Sequence, residues 1–186
     1  MRIALCGPSG SGKTTLATTL SVILKKQDRL ICYSRPTRVA RSMGYESARD
    51  VPTDYHSQII FQTLCLSEQV KAESKFGNDF IIDRSTIDPL AYLEYKMPYM
   101  KGTMEHTVYS KMAVSLCEYD YLFYVPNFSE DIEDNGIRFT KDQDLVGKCF
   151  LNIFDTYKIR YHYIKQKNLV DRAREIEEVL NSNDIR

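Results

Sequence analysis

The stretch Met1-Arg-Ile-Ala-Leu-Cys-Gly-Pro-Ser-Gly-Ser-Gly-Lys-Thr14 decides how the chain is read. A short apolar run, Ile3 to Cys6, ends in Gly7, and four residues lead into Gly12-Lys13-Thr14. Apolar residues at Leu16, Leu20, Ile23 and Leu24 then recur at helical spacing. A strand, the spacing G-x-x-x-x-G-K-[ST] and a helix in that order form a phosphate-binding loop. Its glycines permit backbone angles and a close approach that a side chain would block. Successive backbone N–H groups and the positive end of the new helix converge on anionic oxygens. The expected contacts to a nucleoside triphosphate are Gly7, Ser9, Gly10, Ser11, Gly12, Lys13, Thr14 and Thr15. Lys13 faces the outer phosphates and the Thr14 hydroxyl is a ligand for Mg2+.

Working outward, 186 residues suit one domain over residues 1–186 with a core of its own. Lys and Arg total 25 and Asp and Glu total 25, so no global field favours a membrane surface or nucleic acid as partner. The five cysteines form no C-x-x-C pair and have no zinc-like spacing with the three histidines. An odd cysteine count and a first strand that begins at residue 2 lead to the expectation of a cytoplasmic protein without a cleaved leader. No apolar run approaches membrane-spanning length. A homodimer is left open.

Further along, Leu30 to Tyr33, Phe80 to Ile82, Tyr121 to Val125 and Tyr161 to Ile164 read as four more strands. Pro36 argues against a helix continuing directly from the second strand, and residues 42–53 read as loop or broken helix. Residues 54–76 read as one long helix stopped by Gly77-Asn78. Helices are also expected at 86–97, 103–118 and 141–157, with a last one carrying Leu169, Ala173, Ile176 and Leu180. Strands alternating with helices imply an α/β fold, with about five parallel strands covered by helices on both faces. Ligands bind such sheets at the carboxyl ends of the strands. That rule brings the phosphate loop, Arg35 to Arg38, Asp83-Arg84 and the loop after Val125 to one cleft.

Asp83 closes an apolar strand, where a carboxylate can hold the metal or accept the proton of an attacking hydroxyl. Arg84 adds a planar cation for phosphate oxygens. Arg35 and Arg38 offer two more cations, the kind of clamp that an acceptor already carrying a phosphate needs. On the long helix, Gln58, Gln62, Cys65 and Gln69 fall at i, i+4, i+7 and i+11 and share one face. An amide both donates and accepts, which suits the paired edge of a nucleobase.

Asp83-Arg-Ser85, followed by Asp88-Pro-Leu-Ala-Tyr92, resembles the DRS, DRY or ERS segment of thymidylate kinases, deoxynucleoside kinases and the nicotinamide riboside kinase domain. The resemblance implies the fold of the P-loop kinases, with Arg84 on the substrate or the transferring phosphate and Asp83 serving metal or base. Phe61-Gln-Thr63 resembles the deoxynucleoside kinase helix whose glutamine reads the base, which makes Phe61 and Gln62 substrate residues. Ser34-Arg-Pro36 is similar to the Arg-Glu-Pro segment of thymidylate kinases without its glutamate. Deoxynucleoside kinases carry a catalytic glutamate near this strand end. None occurs here before Glu46, so the acid/base role falls to Asp83. The families also close an arginine-bearing lid, which places a lid at about 127–144 with Arg138 as its catalytic cation, beside Lys141 and Lys148.

The activity expected is transfer of a phosphoryl group from Mg2+-ATP to a small nucleoside or nucleotide, in first place a deoxynucleoside monophosphate. Alternatives are a nucleoside or nicotinamide riboside kinase, a kinase of a hydroxylated base in DNA, and a regulatory P-loop NTPase. A GTP-dependent switch is disfavoured, because Val125-Pro-Asn-Phe128 stands where the guanine-reading Asn-Lys-x-Asp is required.

Overall fold

In a computed structural model of the protein, residues 1–32, 35–128 and 142–182 are described. Five strands form one wholly parallel sheet: β1 Arg2–Cys6, β2 Leu30–Ile31, β3 Phe80–Asp83, β4 Tyr121–Tyr124 and β5 His162–Tyr163. Their order is β2-β3-β1-β4-β5, with the phosphate-loop strand in the centre. Seven α-helices flank the sheet among the described residues: α1 Lys13–Ile23, α2 Arg35–Ser42, α3 Tyr55–Ser74, α4 Ile87–Lys96, α5 Met104–Ser115, α6 Gln143–Tyr157 and α7 Leu169–Asn181. The five strands, their order along the chain and the helical cover agree with the sequence reading.

The central strands are apolar throughout because both of their faces are covered. Along β1, Ile3 and Leu5 point into a cluster with Leu16, Leu20, Ala173 and Ile176 of α1 and α7. Ala4 and Cys6 point the other way, into a cluster with Leu66, Leu90 and Phe150 of α3, α4 and α6. Strand β3 repeats the alternation, with Ile81 on the first face and Phe80 and Ile82 on the second. This period of two sends every second side chain through the sheet. It also leaves the carboxyl ends of β1, β3 and β4 level with one another, since Leu5 pairs with both Asp83 and Phe123.

One expectation is corrected. Pro36 does not keep the segment after β2 out of a helix, because Arg35–Ser42 is helical with Pro36 in its first turn. A proline is tolerated there, where its missing N–H has no partner in the helix to lose. Helix α2 then packs Val39 and Ala40 against Phe61 and Cys65 of α3. Helix α3 opens at Asp54, whose side chain accepts the Ser57 N–H, and ends two residues before the expected Phe76. No helix among the described residues is long and apolar enough to cross a membrane.

Candidate functional site

Gly7 has φ 137° because the chain must turn sharply at the end of β1. A Cβ there would stand 2.3 Å from the carbonyl oxygen of Val125, so only glycine lets the loop pass β4. Gly12, at φ 85°, is the left-handed residue from which α1 starts. The loop between them is held by its own groups. Lys13 Nζ donates to the Pro8 carbonyl at 2.5 Å and to Ser11 Oγ at 3.2 Å. The Ser9 N–H donates to the Tyr92 hydroxyl at 2.8 Å. From α7, Arg172 donates to the Ser11 carbonyl at 2.8 Å, and its guanidinium lies 4.7 Å from the centre of the Phe128 ring.

The loop opens onto a cavity of about 300 Å3 at the carboxyl ends of the strands. Ser9, Gly10, Gly12, Lys13, Thr14 and Thr15 line it on one side, and Arg35, Phe61, Gln62, Asp83 and Arg84 on the other. Thr14 Oγ1 donates to Asp83 Oδ2 at 2.6 Å. Asp83 Oδ1 makes no hydrogen bond among the described residues. A hydroxyl and a carboxylate side by side at the loop are hard oxygen donors that fit Mg2+, a cation that takes one or two protein oxygens and completes its shell with water and phosphate. Among the described residues no group of three His, Cys, Asp or Glu forms a protein-only metal cage.

Burial sets the charges of this cavity. Lys13 is 5% exposed, and its pKa falls to about 8, chiefly through burial and then through Arg84, against the opposing pull of Asp83 and Asp88. Burial raises Asp88, which Arg84 and Lys13 partly offset. Asp88 Oδ2 accepts both the backbone N–H and the hydroxyl of Ser85, at 2.8 and 2.9 Å, so the carboxylate closes the turn that begins α4. Its other oxygen lies 3.4 Å from the Arg84 guanidinium. Cys32 Sγ stands 3.8 Å from Asp83 Oδ2, and burial followed by the Asp83 charge lifts its pKa to about 11.

The long helix brings Gln58, Gln62, Cys65 and Gln69 to the cavity together. Their environments differ. Gln58 donates to the Pro52 carbonyl at 2.7 Å and ties α3 to the preceding loop. Gln62 is 4% exposed, yet its side-chain amide makes no hydrogen bond among the described residues. The amide atoms are open to the cavity, where they can donate to and accept from a ligand.

The structure separates the two arginines paired in the sequence reading. Arg35 lines the cavity and donates to the backbone carbonyl of Asp83, tying α2 to the end of β3. Arg38 does not line the cavity, and its guanidinium pairs with Glu68 of α3. Arg138 and Lys141, the cations expected in a lid, lie outside the described residues. Lys148 is exposed on α6 and does not line the cavity. Sequence reasoning missed Arg172, Lys96 and Asp88 as wall or brace residues. Only Asp88 left a local signal, the spacing Ser85-x-x-Asp88 of a helix cap.

A family model described as an AAA domain matches residues 2–172. No curated protein sequence matches the chain. Among solved structures, a deoxyadenosine kinase from M. mycoides is similar at 16% identity and TM-score 0.67, covering 98% of this chain and 99% of that one. Thymidylate kinase from Candida albicans is similar at 19% identity and TM-score 0.69, with 97% and 91% covered. NadR is similar at 11% identity and TM-score 0.68, with 99% of this chain and 49% of that one covered. At these identities the likeness is one of fold, that of the P-loop nucleoside and nucleotide kinases. With its model spanning residues 2–172, the chain belongs to the AAA-domain family, carried on that fold.

Proposed function

We propose that the protein is an ATP- and Mg2+-dependent phosphotransferase whose acceptor is a deoxynucleoside or its monophosphate. The observation that carries this reading is one cavity with two unlike walls. One wall is a phosphate loop with its lysine and threonine, and the other holds Phe61 and Gln62, whose amide makes no hydrogen bond among the described residues. A hydrolase or switch needs the first wall only. The solved structures of similar fold include a deoxyadenosine kinase with dCMP and a thymidylate kinase, which supports an acceptor of this class.

In this reading the loop amides and Lys13 bind the triphosphate, and Thr14 with Asp83 would hold Mg2+, which supplies charge neutralisation at the phosphates when bound. Asp83 keeps one oxygen on the Thr14 hydroxyl and has the other to take the proton of the acceptor hydroxyl. Arg84 stabilises charge on the transferring phosphoryl group, and Arg138 adds to it from the chain after β4. Phe61 packs on the acceptor base and Gln62 pairs with its edge.

The position of Arg38, on α2 and paired with Glu68 outside the cavity lining, favours a second reading, in which the acceptor is the bare nucleoside. Half of the expected monophosphate clamp is outside the cavity, and Arg35 is joined to the Asp83 carbonyl. Labelled ATP offered with deoxynucleosides, their 5′-monophosphates, nicotinamide riboside and DNA containing hydroxylated bases separates these. Transfer to a deoxynucleoside or its monophosphate is expected. Hydrolysis at a rate that no acceptor changes would sink the proposal.

A further inference from the structure

Arg84 has φ 80°, a left-handed conformation that is unfavourable for a residue with a long side chain. Such an outlier persists only where its surroundings over-determine it. Here they do so group by group. The Asp83 carbonyl accepts from Arg35, and the Arg84 N–H donates to the Leu5 carbonyl at 2.8 Å. The Arg84 carbonyl accepts from Gln69 Nε2 at 3.0 Å. The Ser85 N–H goes to Asp88, and the Ser85 carbonyl accepts the Asp88 N–H at 3.2 Å. The Thr86 N–H donates to the Tyr119 hydroxyl at 2.9 Å. Every backbone donor and acceptor from the Asp83 carbonyl to the Thr86 N–H therefore has a named partner.

Two of these partners are themselves joined behind the turn. Gln69 Nε2 donates to Glu73 Oε1 at 2.5 Å, and the Tyr119 hydroxyl donates to the same oxygen at 2.7 Å. Glu73 thus gathers the side chain that holds Arg84 O and the one that holds Thr86 N. Gln69 is 2% exposed, and burial raises the Glu73 pKa against the hydrogen bonds from Tyr119 and Gln69. In front of the turn, the Arg84 guanidinium stands over the Tyr92 ring at 5.8 Å and beside Asp88, on the cavity wall.

We propose that Gln69, with Glu73 and Tyr119 behind it, is a positioning residue that holds Arg84 in its left-handed conformation and so aims the guanidinium at the transferring phosphoryl group. None of the three is needed to bind the triphosphate, whose loop is held by other contacts. The clamp acts on the transfer step and leaves nucleotide affinity alone. This rests on the phosphotransferase reading, and its structural half is testable without turnover.

Two measurements decide it. In a crystal structure of Gln69→Met, of similar length but without the donor, Arg84 is expected to relax to negative φ and its guanidinium to leave the cavity wall. An unchanged φ and guanidinium position would overturn the inference, whatever the protein catalyses. In kinetics, Gln69→Met is expected to lower kcat about tenfold or more, with Kd for Mg2+-ADP unchanged within about twofold. Removing one transition-state donor costs about 10²–10³ in kcat, so Arg84→Met should fall in that range. The double variant should be no slower than Arg84→Met alone, because Gln69 acts through Arg84. Losses that multiply, or a matching loss of ADP affinity, would show a merely structural role. Tyr119→Phe runs through the same tests if Gln69→Met does not fold. Absence of transfer by the unmodified protein defeats the phosphotransferase reading and leaves the crystallographic test standing.

Discussion

Replacing Lys13 by methionine should change how the stability of the protein responds to pH. An ammonium group 5% exposed, with pKa lowered from 10.5 to about 8, disfavours the charged folded state. At about 1.4 kcal/mol per pKa step, the cost is about 3 kcal/mol relative to the unfolded chain. The sign follows from proton counting. Below about pH 8 both states hold the proton and the full cost is present. Between about 8 and 10.5 the unfolded chain still holds it while folded Lys13 releases it, so stability rises with pH. Methionine has nothing to titrate. The difference in unfolding free energy, native protein minus Lys13→Met, should therefore climb through that window, by about 2 kcal/mol over its first one and a half pH steps. Urea denaturation of both proteins at closely spaced pH values gives the difference directly, and the subtraction cancels the buried cysteines and tyrosines. At neutral pH the variant should be as stable as the native protein or more so, while its nucleotide affinity falls about tenfold or more. A flat or falling difference would refute the assignment of Lys13 as a strained buried cation.

The remaining predictions concern single side chains. Asp83→Asn should slow transfer by about 10²–10⁴, the usual contribution of a general base, and retention of most turnover with the preferred acceptor would remove Asp83 from that role. Gln62→Leu should raise KM for the acceptor by about 10–100-fold, the value of about 1–3 kcal/mol for a pairing amide, with Kd for ADP unchanged. An acceptor KM that stays put would mean that the base is read elsewhere. Gly7→Ala should lose more than about 3 kcal/mol of stability, because its Cβ would meet the Val125 carbonyl at 2.3 Å in a backbone conformation reserved for glycine. A variant that melts with the native protein would contradict that contact.

What was readable beforehand follows the range of each signal. The phosphate loop is contiguous and its chemistry is written into fourteen residues, so the sequence pattern sufficed. Gln62 was accessible through helical periodicity, since α3 is long enough for one face to be identified. Asp83 was accessible through the end of an apolar run. Arg35 and Arg38 are grouped in the sequence as two cations near one strand end, because Pro36 argues against a helix running on from the second strand and nothing local shows that residues 35–42 are helical. Once they are a helix, Arg35 and Arg38 point to different neighbours, one to the Asp83 carbonyl and the other to Glu68. Arg172 had no local signal at all, because its bond to the Ser11 carbonyl spans 161 positions. The Tyr119–Glu73 bond spans 46. Contacts of that kind exist only after the sheet has assembled.

Part of the phosphate loop is already engaged by groups of the protein itself. Lys13 lies on the Pro8 carbonyl, the Ser9 N–H on the Tyr92 hydroxyl, and Arg172 on the Ser11 carbonyl. At these groups an arriving triphosphate trades places with a tyrosine hydroxyl and a carbonyl, so part of its uptake is an exchange among hydrogen bonds already made. That part of the heat of binding should be small beside the contacts made to the other loop amides. Tyr92→Phe, which frees one amide of the loop in advance, should make that heat more favourable.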